Sequence, residues 1–238
     1  MSKFLIRPIP LCQGIRDKSQ FTYHRGMNER VVIVCYVWYL QGTEPKVMVD
    51  TGTTADWYHT DGVPEQEHIQ FLEDGLDKFG VRPEDIDIVI LTHLHADHVE
   101  QARKFTKARF IVQQDELEAA KHPVMESAYR QRLLEGLNYA VVKGDSEIIE
   151  GVRVLFTPGH TPGTQSVAVD TPGGVAIISG FCSIKDNFGI EGDLSTISAP
   201  GVYTNLLEAY DSVIKVKQAA DIVIPLHDPK FVNMNVIP

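Results

Sequence analysis

The chain has 238 residues, 43% of them hydrophobic and 23% charged, enough apolar material to bury a core and too much for wholesale disorder. The formal net charge is −10 with no compensating run of Lys and Arg, which argues against a nucleic-acid backbone or an anionic lipid surface as partner. The longest apolar stretch, Val31 to Leu40, is about half of the ~20 residues a spanning helix needs.

In chain order, the first part reads mostly as strands. Val31 to Leu40 is rich in β-branched and aromatic residues, and Lys46 to Asp50 follows after the turn-like QGTEP. MVDTG then closes a strand on a Gly turn that delivers Asp50 to a sheet edge. Pro64 to Phe79 predicts a helix, with proline at its start, Ile69, Leu72, Leu76 and Phe79 at helical spacing, and Gly80 as terminator. Ile86 to Leu91 predicts a short buried strand, the polar run THLHADH follows it directly, and Val99 to Phe105 reads as helical. Beyond it come a strand at Arg109 to Val112 and helices at Asp115 to Lys121 and Pro123 to Leu134. Strands at Val152 to Phe156, Ser166 to Asp170 and Val175 to Ser179 precede a long helix at Tyr203 to Gln218 and a last strand at Ile222 to Pro225. Strands and helices interleaved in two halves predict an α+β chain with sheets covered by helices.

The three cysteines, Cys12, Cys35 and Cys182, are odd in number and form no C-x-x-C pair, so a disulfide framework is not expected. The N-terminal MSKFLIRPIPLCQG has no apolar core of the length a secretory signal needs, and a soluble, cytoplasmic protein is the expectation.

The chemistry concentrates in His93-Leu94-His95-Ala96-Asp97-His98, three histidines and a carboxylate within six residues after a buried strand. Imidazole nitrogen and carboxylate oxygen suit divalent transition ions, zinc above all. The pair His93 and His95 can converge on one ion, leaving Asp97 and His98 for a second ion or a bound water.

THLHADH resembles the signature of the metallo-β-lactamase superfamily. Three more segments agree in the family's order: MVDTG at Met48 to Gly52, TPGHTPG at Thr157 to Gly163, and LHD at Leu226 to Asp228. The resemblance implies an αβ/βα sandwich of two mixed β-sheets flanked by helices, with residues 1–238 as a single domain. It implies a first metal site of His93, His95 and His160, and a second of Asp97, His98 and His227, with one or two zinc ions; iron and manganese suit the same donors. Asp50 would support the ligand loops through hydrogen bonds, a role compatible with capping its own turn. A solvent-facing turn histidine at His160, and a surface histidine at His227, are the bland alternatives.

One departure stands out. Family members with two ions usually have a bridging aspartate after a strand ending in Gly-Asp, and here Phe181 follows Gly180. Cys182, one residue on, is either a substitute ligand through its thiolate or an inert buried residue. Trp57, Tyr58 and His59 either line a cleft or pack in the core, and Met125, Tyr129 and Leu133 form a stripe that is core or part of a cap over the site.

A metal-activated water in such a site opens esters, lactones, thioesters, amides or phosphodiesters, with Asp97 handling the proton. FTYHRG, the segment from Cys182 to Phe188, and PLHDP resemble the N-acyl homoserine lactonases, so a lactone is the expected substrate. The tyrosine those enzymes often place three residues after the bridging aspartate is missing; the count reaches Ile184. The rivals are a thioester, β-lactam or phosphodiester hydrolase, a redox relative, and a metal-binding protein whose second site has decayed. Only Lys230 occurs in residues 221–238, against the basic C-terminal patch of a glutathione thioester hydrolase. A small-molecule substrate is expected, with no nucleic acid and no membrane; a homodimer is a base-rate expectation.

Overall fold

In β2 (Arg30–Gln41), alternate residues face opposite sides and both sides are apolar. Val34, Tyr36, Trp38 and Leu40 enter one buried cluster, Val37 and Tyr39 another. A strand patterned this way needs cover on both faces. The computed structural model, which describes residues 3–42, 44–54, 66–124, 128–190 and 192–238, shows how that cover is supplied.

One sheet contains β1 (Leu5–Asp17), β2, β3 (Val47–Val49), β4 (Gln66–His68), β5 (Ile88–Ile90), β6 (Arg109–Gln113) and β7 (Tyr139–Val142), in the order β4-β1-β2-β3-β5-β6-β7. The other contains β8 (Ser146–Ile149), β9 (Val152–Phe156), β10 (Gln165–Thr171), β11 (Gly174–Ile178) and β12 (Ile222–Ile224), in the order β12-β11-β10-β9-β8. Both are mixed: β3, β5, β6 and β7 run parallel beside an antiparallel β1–β2 pair, and β12 lies parallel to β11 in an otherwise antiparallel sheet. Trp38, Val49, Ile88 and Ile90 of the first sheet meet Val154, Val167, Ala176 and Ile178 of the second in the inter-sheet core.

Helices close the outer faces. Leu72 and Leu76 of α1 (Leu72–Asp77), Val99 of α2 (Ala96–Val99) and Ala120 of α3 (Gln114–Lys121) pack with Val89 and Phe110 behind the first sheet. A fourth short helix, α4 (Gln131–Leu134), adds Leu134 to the same cluster. Behind the second sheet, Val213 and Val216 of α5 (Leu206–Ala219) pack on Ala168 and Ile177. This is the expected αβ/βα sandwich of two mixed sheets. No helix among the described residues is long and apolar enough to cross a membrane.

Several elements differ from expectation. The helix expected from Pro64 to Phe79 shrinks to α1, and residues 66–68 instead form β4, which pairs with Cys12 to Gly14 at the sheet edge; residues 64 and 65 lie outside the described set. Val99 to Phe105 resolves into the end of α2 and a 3-10 turn at Ala102–Lys104; α2 begins at Ala96 and carries Asp97 and His98. From the expected Pro123 to Leu134 helix only α4 is seen, with residues 125–127 outside the described set. The last helix begins at Leu206 rather than Tyr203, because the Asn205 side chain accepts hydrogen bonds from the Leu207 and Glu208 N–H groups and caps it there. β1 carries Pro8 and Pro10, which pair with Trp38 and Tyr36 of β2; it tolerates them because, among the described residues, no strand runs along its other edge there, where β4 reaches only Cys12 to Gly14 and Ile6 alone bridges to Ile237.

Candidate metal centre

Strand ends bring the histidines together. His93 and His95 follow β5, His160 lies between β9 and β10, and His227 follows β12. Two buried glutamines bind the sheets to each other beside them: Gln165 Nε2 donates to the Leu91 carbonyl at 2.7 Å, Gln113 Nε2 donates to Gln165 Oε1 at 3.0 Å, and the Gln165 N–H reaches the Thr92 carbonyl at 2.9 Å. The backbone entering the ligand run is therefore fixed to both sheets.

Two sets of potential ligand atoms result, each within 4.8 Å internally: His93, His95 and His160, all buried, and Asp97, His98 and His227, of which Asp97 is half-buried. Hydrogen bonds fix which ring nitrogen is free. His160 Nδ1 lies 2.7 Å from the Val202 carbonyl and His227 Nδ1 3.0 Å from that of Val34; a carbonyl only accepts, so both Nδ1 atoms carry the proton. The Thr92 hydroxyl donates to Asp50 Oδ2 at 2.8 Å and thus accepts from His93 Nδ1 at 3.1 Å. Each ring is left with an unprotonated Nε2 turned inward. His93 Nε2 and His160 Nε2 stand 3.3 Å apart, and His95 Nε2 is buried with no hydrogen-bond partner.

Lone pairs facing at that separation repel unless a cation lies between them. Two nitrogens about 2.0–2.1 Å from a tetrahedral ion stand roughly 3.3 Å apart, so the donor set, its protonation and its spacing all fit a divalent transition ion. Burial, reinforced by the neighbouring histidines, holds His93 and His95 well below the ordinary imidazole range. His160 and His227 are lowered to about 4, again mainly by burial. Neutral imidazole is the ligating form.

The second set is charged differently. Burial acts to lower His98, but Asp97 and Asp50 outweigh it and raise the ring well above its usual value. His98 Nδ1 lies 2.8 Å from Asp50 Oδ2 and its Nε2 3.3 Å from Asp97 Oδ2. Burial acts to raise Asp97, yet His98 and then His227 hold it well below the carboxylate range. Without an ion, a proton on His98 balances two carboxylates; an ion at Nε2 would take that role.

The Asp50 carboxylate reaches both the Thr92 hydroxyl and His98 Nδ1. It is fully buried and also accepts from the Thr92 N–H at 2.7 Å. Its backbone adopts φ +58°, a left-handed conformation that Asp tolerates better than most residues.

Cys182 joins neither set. Its Sγ is 3.9 Å from the Gln20 carbonyl, its side chain packs with Phe21, Ile33 and Ile184, and burial raises the thiol well above its ordinary range. Phe181 is turned from the ligands altogether. Its ring is 1% exposed and sits with Phe188, Ile197, Val213 and Val216 in the core beneath α5. Gly180 offers no alternative, since a Cβ there would lie 1.8 Å from the Gln165 carbonyl oxygen. The chain leaving β11 thus brings no carboxylate to the centre. Ile184 is buried in the Phe21 cluster. Trp57, Tyr58, His59 and Met125 lie outside the described residues; Tyr129 is buried and its ring edge meets His95 at 5.0 Å between centroids. Motif reading passed over Thr92 and Glu116, buried polar residues whose partners come from distant segments.

The layering and the paired ligand sets define a metallohydrolase sandwich. A sequence profile of the metallo-beta-lactamase superfamily matches residues 30–220, and the chain belongs to that superfamily. An N-acyl homoserine lactonase from a Bacillus species is 31% identical over 230 residues, covering 91% of this chain and 90% of the relative; that of Bacillus cereus is 27% identical with the same coverage. A solved N-acyl homoserine lactone hydrolase, with the product N-hexanoyl-L-homoserine at its catalytic metal centre, superposes with a TM-score of 0.80 at 27% identity, covering 97% of this chain and 95% of that one. Within the superfamily, the resemblance is to the N-acyl homoserine lactonase branch.

Proposed function

We propose that this chain is a metal-dependent hydrolase that opens the ester bond of a lactone, with N-acyl homoserine lactones as the substrate class. The observation that carries the reading is the paired donor sets, with unprotonated Nε2 atoms on His93, His160 and His227, in a chain similar over nine-tenths of its length to lactonases. In this reading His93, His95 and His160 hold one ion, and Asp97, His98 and His227 a second. Zinc is the proposed metal; iron or manganese would suit the same donors. Cys182 stays outside both.

A divalent ion, when bound, supplies a water with a pKa near 7 and polarises the carbonyl under attack. Asp97 is suited to the proton. It is held ionised and its side chain keeps 24% of its surface open, so it can face both the ions and an entering molecule. It takes the proton of the attacking water and returns one to the leaving alkoxide. The acyl C–O bond of the ring breaks, a new C–O bond forms to the water oxygen, and a hydroxy acid leaves.

Tyr23, Met27 and Tyr203 line a groove beside Val202, the residue that holds His160, and so offer apolar surface for an acyl chain. The reading takes residues 1–238 as one domain, supported by the core shared between the sheets. It places the protein in the cytoplasm, supported by three cysteines without framework spacing, and a homodimer would be compatible with it. The test is ring opening by metal-loaded protein, followed by acid release across lactones, open-chain esters and glutathione thioesters. Turnover is expected on N-acyl homoserine lactones first; a loaded protein inert towards every lactone would overturn the proposal.

A further inference from the structure

Glu116 is a carboxylate with no exposed surface that lies outside both ligand sets. It sits in the first turn of α3, behind the first sheet, yet four donors from three other segments converge on it. Oε1 accepts from the Leu94 N–H at 2.9 Å and the Tyr129 hydroxyl at 3.0 Å. Oε2 accepts from the Thr161 hydroxyl at 2.6 Å and the Gly163 N–H at 3.0 Å. Leu94 stands between His93 and His95; Thr161 follows His160; the Tyr129 ring abuts His95. One side chain therefore ties together both backbone segments that carry the first histidine set, along with the aromatic wall of that set.

The second glycine of TPGHTPG belongs to the same arrangement. A Cβ on Gly163 would lie 2.1 Å from the Glu116 backbone nitrogen, so only glycine lets the His160 turn come close enough for its N–H to reach the carboxylate. The chemistry of the four partners is specific as well. Each oxygen faces one backbone N–H, which can only donate. An amide in place of the carboxylate would turn its own NH₂ against one of them whichever way it flipped, at nearly unchanged shape. Burial raises the Glu116 carboxyl, and the four hydrogen bonds oppose that rise.

We propose that Glu116 is the positioning residue of the first metal site, setting the separation of the His93–His95 segment from the His160 turn. The inference rests on the metal-centre reading above. Hydrogen-bonded supports of this kind are typically worth 10–100-fold in metal affinity.

The experiment is cobalt titration of chelator-stripped full-length protein, read by visible d–d absorption and by competition with a chromophoric chelator. His227→Ala, which removes a member of the other set, identifies the binding phase of each site. Glu116→Gln is expected to weaken the His93, His95 and His160 phase by tenfold or more and to shift its absorption bands, while the other phase keeps its wild-type constant. Thr161→Val and Tyr129→Phe each remove one donor, and smaller losses confined to the same phase are expected. They carry the comparison if Glu116→Gln does not fold. Variants with a lowered melting temperature but wild-type constants and spectra would show that Glu116 only supports the fold, overturning the inference and leaving the metal centre intact. Wild type that takes up no cobalt would overturn the metal-centre reading and this inference with it.

Discussion

At Asp50 one carboxylate serves the Thr92 N–H, the Thr92 hydroxyl and His98 Nδ1. An asparagine would keep the shape and set an NH₂ against either the Thr92 N–H or the His98 N–H. Asp50→Asn is therefore expected to weaken metal binding roughly 10–100-fold at the set containing His98, measured by competition with a chelator; an unchanged constant would remove Asp50 from the supporting role. Asp97→Asn takes away the proposed proton carrier, and a fall in kcat of about 10²–10⁴-fold is expected. Cys182→Ala should leave the metal content as it is in wild type, since its thiol touches Gln20 rather than the ligands; loss of one equivalent would return Cys182 to the ligand list. The histidine motif and Asp50 were legible as chemistry because their spacing along the chain carries the signal. Glu116 was not legible, because its partners at Leu94, Tyr129, Thr161 and Gly163 meet only in space.

Among the elements, the step from β11 to α5 is where the sequence departs from the family's pattern and the structure accounts for the departure. Phe181 stands in the sequence where the family's bridging aspartate would be, and a phenyl ring cannot ligate a metal. The chain turns after Ile178 so that Phe181 drops into the cluster beneath α5 with Val213 and Val216. Phe181→Ala is expected to cost about 3–5 kcal/mol of stability while the folded protein binds the same number of ions. A changed metal content at unchanged stability would contradict this placement. Strand patterning was easy to read in β2 and β5, where both faces are apolar. The 64–79 helix misled because apolar spacing alone does not reveal that residues 66–68 find a free sheet edge at Cys12 to Gly14.

For the whole molecule, the buried histidines make the metal-free protein sensitive to acid. His160 and His227 titrate at about 4 when folded and near ~6.5 when unfolded. Between those values the unfolded chain binds more protons, so their contribution is full above ~6.5 and is lost as pH falls towards about 4. His93 and His95, also lowered, act in the same sense. His98, raised, acts oppositely: its contribution is full below ~6.5 and lost as pH rises through its folded value. Four groups against one predict a denaturation midpoint that falls between pH 7 and 4.5; a flat or rising midpoint would contradict the burial of these rings. Filling one site at a hundred times its dissociation constant adds about 2.7 kcal/mol. Chelation should then lower the melting temperature by roughly 5–10 °C for a chain of this size, read by differential scanning fluorimetry.

The sequence by itself determined the kind of chemistry and the layer plan. Histidine and carboxylate at close spacing state their affinity for a divalent ion locally, and a strand apolar on both faces requires cover on both. Only the tertiary structure decided which nitrogen of each ring is free, that Phe181 faces the core and Cys182 stands apart from the ligands, and that Glu116 joins the two ligand segments. Those outcomes depend on hydrogen bonds and packing between residues tens of positions apart, whose meeting is a property of the assembled sheets and is not encoded in any local run.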